Sequence, residues 1–433
     1  AAMTTPEGEF VSALTHKVRA GWFAGEYGFY GWADAQGTVT PHSLADAYFF
    51  WDPLAIAVLV NEAWVNLETA KVSVMASSPP NLTHDGWTMF DDAGQDVYYT
   101  RNVSAAGAEA VRQHILEVLQ RECITDQPVP LSAALAAKSY GTLLINPCDA
   151  ATSTTTTTTT TTTQVVSSSV QATNGCNGEA ASRTSVILDY DMNVDDVVAL
   201  AYLAKLDGFE IKAVILTNTG FTGPGAGARN TLKLMELLGL GDVDVGIGPF
   251  HSADQRNAFP ANCDYDQYIP ESSKWQTDIL YGVIDDYLPY SARQPNNTWP
   301  PPSKDVYKKH ADAGVTTVIT LGPLTSLHDF MVEYPSSYAQ LTRLHAMFGA
   351  MHVGGNVFTN PGGPQEFNVM GDPHGAKEVI AATNWQKVTL ISLDGTNDVP
   401  MSPEYMDELA AMTTPEGEFV SALTHKVRAG WFA

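Results

Sequence analysis

The stretch AAMTTPEGEFVSALTHKVRAGWFA at residues 1–24 recurs letter for letter at residues 410–433, so the sequence restarts after a period of 409 residues. A match of that length does not arise by chance, and it lets the chain be read as a ring in which residue 409 is followed by residue 1. Two origins fit: an array of identical units, or a duplicated junction. The repeated residues read as the continuation of a domain that crosses the 409 boundary. That reading favours pairing of each part with an identical neighbouring unit, although the linker at 149–183 is long enough to let the two parts of one chain meet directly.

A second feature divides the ring. Ten consecutive threonines, 154–163, lie within a Thr/Ser-rich tract at 149–183. The tract has almost no hydrophobic periodicity and cannot pack a core, so it reads as a linker between a part at 1–148 and a part at 184–433. A flexible spacer and a stiff stalk bearing O-linked sugars are equally good readings of it. Taken in ring order from residue 184, the rest becomes one alternating α/β pattern. Apolar runs at 186–188, 213–216, 315–321 and 388–393 read as buried parallel strands. Helical spacing at 197–206, 226–238 and 324–332 separates them. A helix at 53–62, a short strand at 71–75 and an amphipathic helix at 106–121 follow. The fold class expected is α/β, a doubly wound, mostly parallel sheet flanked by helices in circularly shifted order, with its ligand site at the carboxyl ends of the strands.

Composition narrows the partners. With 44% hydrophobic residues the chain can bury a large core, and 48 Asp and Glu against 23 Lys and Arg give a formal net charge of -25. Such a surface repels phosphate backbones and anionic lipid, which argues against nucleic acid as a partner. No apolar run approaches the roughly 20 residues that span a bilayer, so no membrane insertion is expected. Residue 1 opens no signal-peptide pattern, so a mature or excerpted chain is expected. Cys123, Cys148, Cys176 and Cys263 lack the close spacing of a zinc site. One or two disulfides near the linker and buried free thiols both fit them. Sequons at Asn81, Asn102 and Asn296 fit an extracellular, glycosylated chain.

Chemistry concentrates after the first strand, where Asp189-Tyr190-Asp191-Met192-Asn193-Val194-Asp195-Asp196 places four carboxylates in eight residues. Crowded on one strand-to-helix turn they raise one another's pKa unless a cation or several donors compensate, and a hard divalent ion with oxygen ligands does so. The competing reading makes Asp195 and Asp196 ordinary helix caps. An EF-hand does not fit, because the sixth and twelfth positions are Val194 and Leu200 rather than Gly and Glu.

The Asp-x-Asp-x-Asn-x-Asp-Asp turn resembles the signature of the nucleoside hydrolases, and further motifs follow in the family's order. These are Leu216-Thr217-Asn218, Leu321-Gly322-Pro323-Leu324-Thr325, Met347 ahead of Gly355-Asn356-Val357, Glu366-Phe367-Asn368 with Asp372-Pro373, and Ser392-Leu393-Asp394-Gly395-Thr396-Asn397. The last family motif stands upstream, as Phe50-Trp51-Asp52-Pro53-Leu54-Ala55, and ring order restores its place.

The resemblance implies a nucleoside hydrolase fold and calcium held by the carboxylates of Asp191, Asp196 and Asp52 with the main-chain carbonyl of Leu321, where the family usually has Thr. It implies hydrolysis of the N-glycosidic bond with Asp191 as general base, and Asn218 near the water or sugar. Asn193, Asp195, Met347, Asn356, Glu366 and Asn368 match positions that bind the ribose portion, and Asp189 supports the turn. Trp51 matches the residue that stacks on the base in the purine-preferring branch, so a purine nucleoside is the substrate implied. A second stacking Trp of that branch has no clear counterpart at 252–270, where Phe259 is the nearest aromatic. The period and the linker also support a different role, a structural bead in an extracellular fibre or tandem array.

Overall fold

The computed structural model describes residues 49–77, 84–121, 183–222, 224–253, 300–357 and 365–432. The cysteines, the threonine tract, Asn81, Asn296 and Phe259 lie outside them.

Among the described residues nine strands form one sheet. They are β1 (Asn66–Val74), β2 (Thr88–Phe90), β3 (Gln95–Asn102), β4 (Thr184–Tyr190), β5 (Phe209–Leu216), β6 (Asp244–Ile247), β7 (Thr317–Thr320), β8 (Arg343–Met347) and β9 (Lys387–Ile391). Their order is β2-β1-β3-β9-β8-β7-β4-β5-β6. Every pairing from β3 to β6 is parallel, whereas β1 runs antiparallel to β2 and β3.

β4 shows why these residues become a central strand. Val186, Leu188 and Tyr190 join the core on one face and Ile187 joins the core on the other, so both faces are apolar and buried. Helices Trp51–Val60, Ala105–Gln120, Val194–Ala204, Pro224–Leu237, Pro403–Ala410 and Pro415–Phe432 cover the first face. Helices Ser303–Asp312, Thr325–Glu333 and Pro373–Ile380 cover the second.

Within this one chain the two parts meet directly, the other of the two pairings that the sequence allows. β3 pairs with β9 through Tyr98 with Thr389 and Tyr99 with Leu390. The Phe50 N–H donates to the Val399 carbonyl at 3.0 Å, and the Val103 N–H donates to Asp398 Oδ2 at 2.9 Å. Helix Trp51–Val60 packs on helix Val194–Ala204, and His345 Nε2 lies 2.6 Å from the Ala55 carbonyl, tying that helix to β8. These contacts cover what would otherwise be a bare β9 edge and an open apolar face of helix Val194–Ala204. Residues 122–182 reach on the order of 200 Å, and closing so long a loop costs only logarithmically more than closing a short one.

Candidate functional site

β4 stands where the strand order reverses. β5 and β6 follow on one side of it, β7, β8 and β9 on the other, and the crevice at such a switch point is where open α/β sheets bind ligands. The acidic turn lies there. Met192 takes a left-handed φ of 63° while fully buried, a strained conformation that redirects the chain between Asp191 and Asn193.

Asn193 caps helix Val194–Ala204, its Oδ1 accepting from the Val194 N–H at 2.7 Å. Asp196 closes the capping box, Oδ2 accepting from the Asn193 N–H at 3.0 Å and Oδ1 from the Asp191 N–H at 3.2 Å. The capping role of Asp196 is therefore present alongside whatever chemistry it has.

Asp191 is held from the loop after β5. The Phe221 N–H donates to its Oδ2 at 3.0 Å, and Thr222 Oγ1 donates to the Met192 carbonyl at 2.8 Å. Two glycines make room for it. A Cβ on Gly220 would lie 2.1 Å from Asp191 Oδ2, and one on Gly322 would lie 2.9 Å from Asp191 Cβ.

Asp52 arrives from the other part of the chain, in the first turn of helix Trp51–Val60. One oxygen each from Asp52, Asp195 and Asp196 lie within 4.8 Å of one another, and all three residues are buried. Asp195 joins this triad, and Asp191 stands beside it with its carboxyl hydrogen-bonded to Asp196. Burial, then Asp195, Asp196 and Asp191, push the Asp52 carboxyl far above the usual carboxylate range. Burial, then Asp191 and Asp195, do the same to Asp196, and burial is also the main cause raising Asp191. No basic side chain is among the principal influences on these three carboxyls. Four clustered acids of this kind are neutralised by protons or by a cation, and an all-oxygen donor set suits calcium. Calcium therefore fits these residues.

Several of the remaining motif residues meet at the ends of β7 and β8. Asn368 Nδ2 donates to the Leu321 carbonyl at 2.8 Å and to the Met347 carbonyl at 3.2 Å, joining three residues singled out in the sequence. Glu366 is fixed by the N–H groups of Asn368 at 2.8 Å and of Gly349 and Val369 at 3.1 Å each, while burial pushes its carboxyl up to about 7. Asn356 Oδ1 accepts from the Phe367 N–H at 2.8 Å. Asn218 Nδ2 donates to the Gly248 carbonyl at 2.5 Å. Its Oδ1 is buried with no hydrogen-bond partner among the described residues, as are Thr217 Oγ1, Thr320 Oγ1 and Ser326 Oγ. Buried polar atoms left in that state suit a polar ligand or water. Asp189 accepts from the Tyr307 hydroxyl at 2.7 Å, which agrees with a supporting role for it. Trp51 is half-buried beside Phe49, with ring centroids 5.6 Å apart.

Sequence reading missed Gly220, whose small size Asp191 requires, and Phe221, whose N–H fixes Asp191 and whose ring lies 6.3 Å from that of Phe367. A glycine two residues after Asn218 was the available signal.

The chain is similar in sequence to known proteins. Nucleoside hydrolase 3 of Arabidopsis thaliana is 26% identical over 303 residues, covering 58% of this chain, which spans only 34% of that longer protein. A pyrimidine-specific ribonucleoside hydrolase, RihA of Shewanella woodyi, is 26% identical over 238 residues, 55% of this chain and 69% of its own length. Among solved structures, the purine-preferring ribonucleoside hydrolase of Gardnerella vaginalis is 22% identical, covers 56% of this chain and 71% of its own, and superposes with a TM-score of 0.45. The family profile described as inosine-uridine preferring nucleoside hydrolase matches residues 186–431, more than half of the sequence and all of the acidic turn. The chain belongs to the inosine-uridine preferring nucleoside hydrolase family.

Proposed function

We propose that this chain hydrolyses the N-glycosidic bond of purine ribonucleosides, releasing free base and ribose, in a calcium-dependent reaction. One observation carries the reading: Asp52, from a distant part of the sequence, is folded against Asp195 and Asp196 into a buried all-oxygen cluster. Asp52, Asp195 and Asp196, with Asp191 beside them, would hold the ion. Calcium, when bound, supplies positive charge that keeps these carboxyls ionised and orients oxygen atoms of water and sugar.

The protein groups supply the rest. Asp191, fixed by the Phe221 N–H, accepts a proton from the attacking water as that water's oxygen bonds to the anomeric carbon and the glycosidic electron pair leaves with the base. Asn193, Asn356, Glu366 and Asn368, with Met347 beside them, grip the ribose. Glu366 is ordered by three backbone donors, so it needs little rearrangement to do so. Trp51, one residue before Asp52, offers an aromatic face to the base, and a purine gives that face more area than a pyrimidine. Asn218, with one oxygen unengaged by protein donors, orients the water or the sugar.

The decisive assay is release of hypoxanthine from inosine, and of uracil from uridine, with and without a calcium chelator, alongside Asp191→Ala. Chelator-sensitive release that favours inosine and disappears in the variant supports the reading. Faster release from uridine removes the purine part, and no release despite bound calcium favours a structural bead.

An extracellular, repeated chain is part of the same proposal. The exact duplication supports the repeat, and the exposed sequon residue Asn102, at the end of β3, supports glycosylation. A glycosidase-sensitive species far above 46.6 kDa on a denaturing gel is the expected result.

A further inference from the structure

One groove in this fold is filled by a segment that the chain carries twice. Helix Pro415–Phe432 lies against helices Val194–Ala204, Ala105–Gln120 and Pro403–Ala410. Phe419, Val420 and Leu423 are fully buried there. Polar contacts fix the register. Lys205 Nζ, itself buried, donates to Glu416 Oε2 at 3.0 Å and to the Leu119 carbonyl at 3.1 Å. Thr414 Oγ1 donates to the same Leu119 carbonyl at 2.6 Å, and Gln120 Nε2 donates to Thr413 Oγ1 at 3.1 Å.

Every residue that the helix and its leading turn contribute to those contacts has an identical twin. Thr4, Thr5, Glu7, Phe10, Val11 and Leu14 stand where Thr413, Thr414, Glu416, Phe419, Val420 and Leu423 stand in the second copy. A groove built for one copy is therefore built for the other, with the same apolar burial and the same buried charge pair.

We propose that residues 1–24 of the same chain are an interchangeable occupant of the groove that residues 410–432 fill. Reach favours the chain's own copy over a neighbour's. Residues 25–48 connect it to Phe49 and span up to roughly 80 Å when extended. The helix that begins at Trp51 already rests on helix Val194–Ala204, as does the groove's present occupant. Helix Val194–Ala204 thus lies a packed-helix distance of about 10 Å from each of the two. The consequence bears on the acidic turn. Helix Val194–Ala204, which carries Asp195 and Asp196, is supported whether the copy comes from before residue 49 or from after residue 409. In a repeating polypeptide each unit would then complete its helical layer on its own.

The test compares thermal unfolding and sedimentation of the full chain with its Phe419→Ala, Phe10→Ala and double variants. Either single variant should melt within about 2 °C of the parent and sediment as the same species, because the intact copy takes the groove. The double variant should melt lower by roughly 10 °C, or fail to fold, since no intact phenylalanine remains for that site. A Phe419→Ala chain that melts as low as the double variant, or does not fold, overturns the proposal. So does a double variant that melts with the parent. Conversion of Phe419→Ala to a dimer overturns the same-chain assignment in favour of exchange between chains.

Discussion

Replacing Gly220 by alanine should disable the site while leaving the fold standing. The added methyl carbon would lie 2.1 Å from Asp191 Oδ2 and 2.4 Å from its Cβ, against a closest tolerable approach of 3.0 Å. The side chain of Asp191 must therefore retreat by roughly 1 Å, and the Phe221 N–H that fixes it belongs to the next residue, so the anchor shifts too. A displacement of that size in a reacting group costs on the order of 100-fold in kcat/KM, about 2.7 kcal/mol of transition-state stabilisation. Overpacking should lower stability by only about 1–3 kcal/mol. The assay is nucleoside hydrolysis at saturating calcium, well below the melting temperature of both proteins. Gly208→Ala is the control, because a Cβ there meets nothing within 4 Å. Asp191→Ala with Gly220→Ala should be no worse than Asp191→Ala alone if the effect runs through Asp191. A Gly220→Ala enzyme within about threefold of the parent kcat/KM would falsify the argument that this crowding governs the base.

Other outcomes follow from the same contacts. Calcium at about 100 times its dissociation constant should stabilise the protein by about 2.7 kcal/mol, and Asp52→Ala should abolish that response in a melting experiment. Burial pushes His345 down to about 4 from an ordinary 6.5, so the unfolded chain takes up a proton that the folded chain refuses. Its contribution is intact above pH 6.5 and lost as pH falls towards 4, by roughly 3 kcal/mol in all. His345→Gln should flatten that part of the stability profile, and an unchanged slope in denaturant titrations would count against it. Because Asp52 and Asp196 meet within one chain, a mixture of inactive Asp52→Ala and Asp196→Ala chains should recover no activity. Recovery of about a quarter of the parent rate, as random pairing would give, would show that the parts pair between chains.

The buried strands were the most legible part of the fold. The apolar runs near 186 and 213 became the cores of β4 and β5, because a parallel strand covered on both faces must be apolar throughout. Val315 and Leu393 fell outside β7 and β9, and Leu393 instead opens the short helix Leu393–Thr396. β8 escaped notice: Arg343-Leu344-His345-Ala346-Met347 has no β-branched residue, and its buried His is explained only by the Ala55 carbonyl of a helix far away in sequence. β3 escaped for a related reason, since its polar residues lie on the exposed flank near the sheet's edge.

By itself the sequence determined the period, the linker, the α/β alternation and the residues of the acidic turn, because these are local patterns of letters. It also ordered Asp52 after Asn397 once the chain was read as a ring. Only the tertiary structure brought Asp52 to Asp195 and Asp196, with Asp191 against Asp196, and gave Asp191 its room at Gly220. The strained turn at Met192, the reversal of strand order beside β4 and the approach of helix Trp51–Val60 set those distances. Spacing along the chain fixes which carboxylates share a turn. Which oxygens come within reach of one cation depends on packing between segments that the sequence leaves far apart.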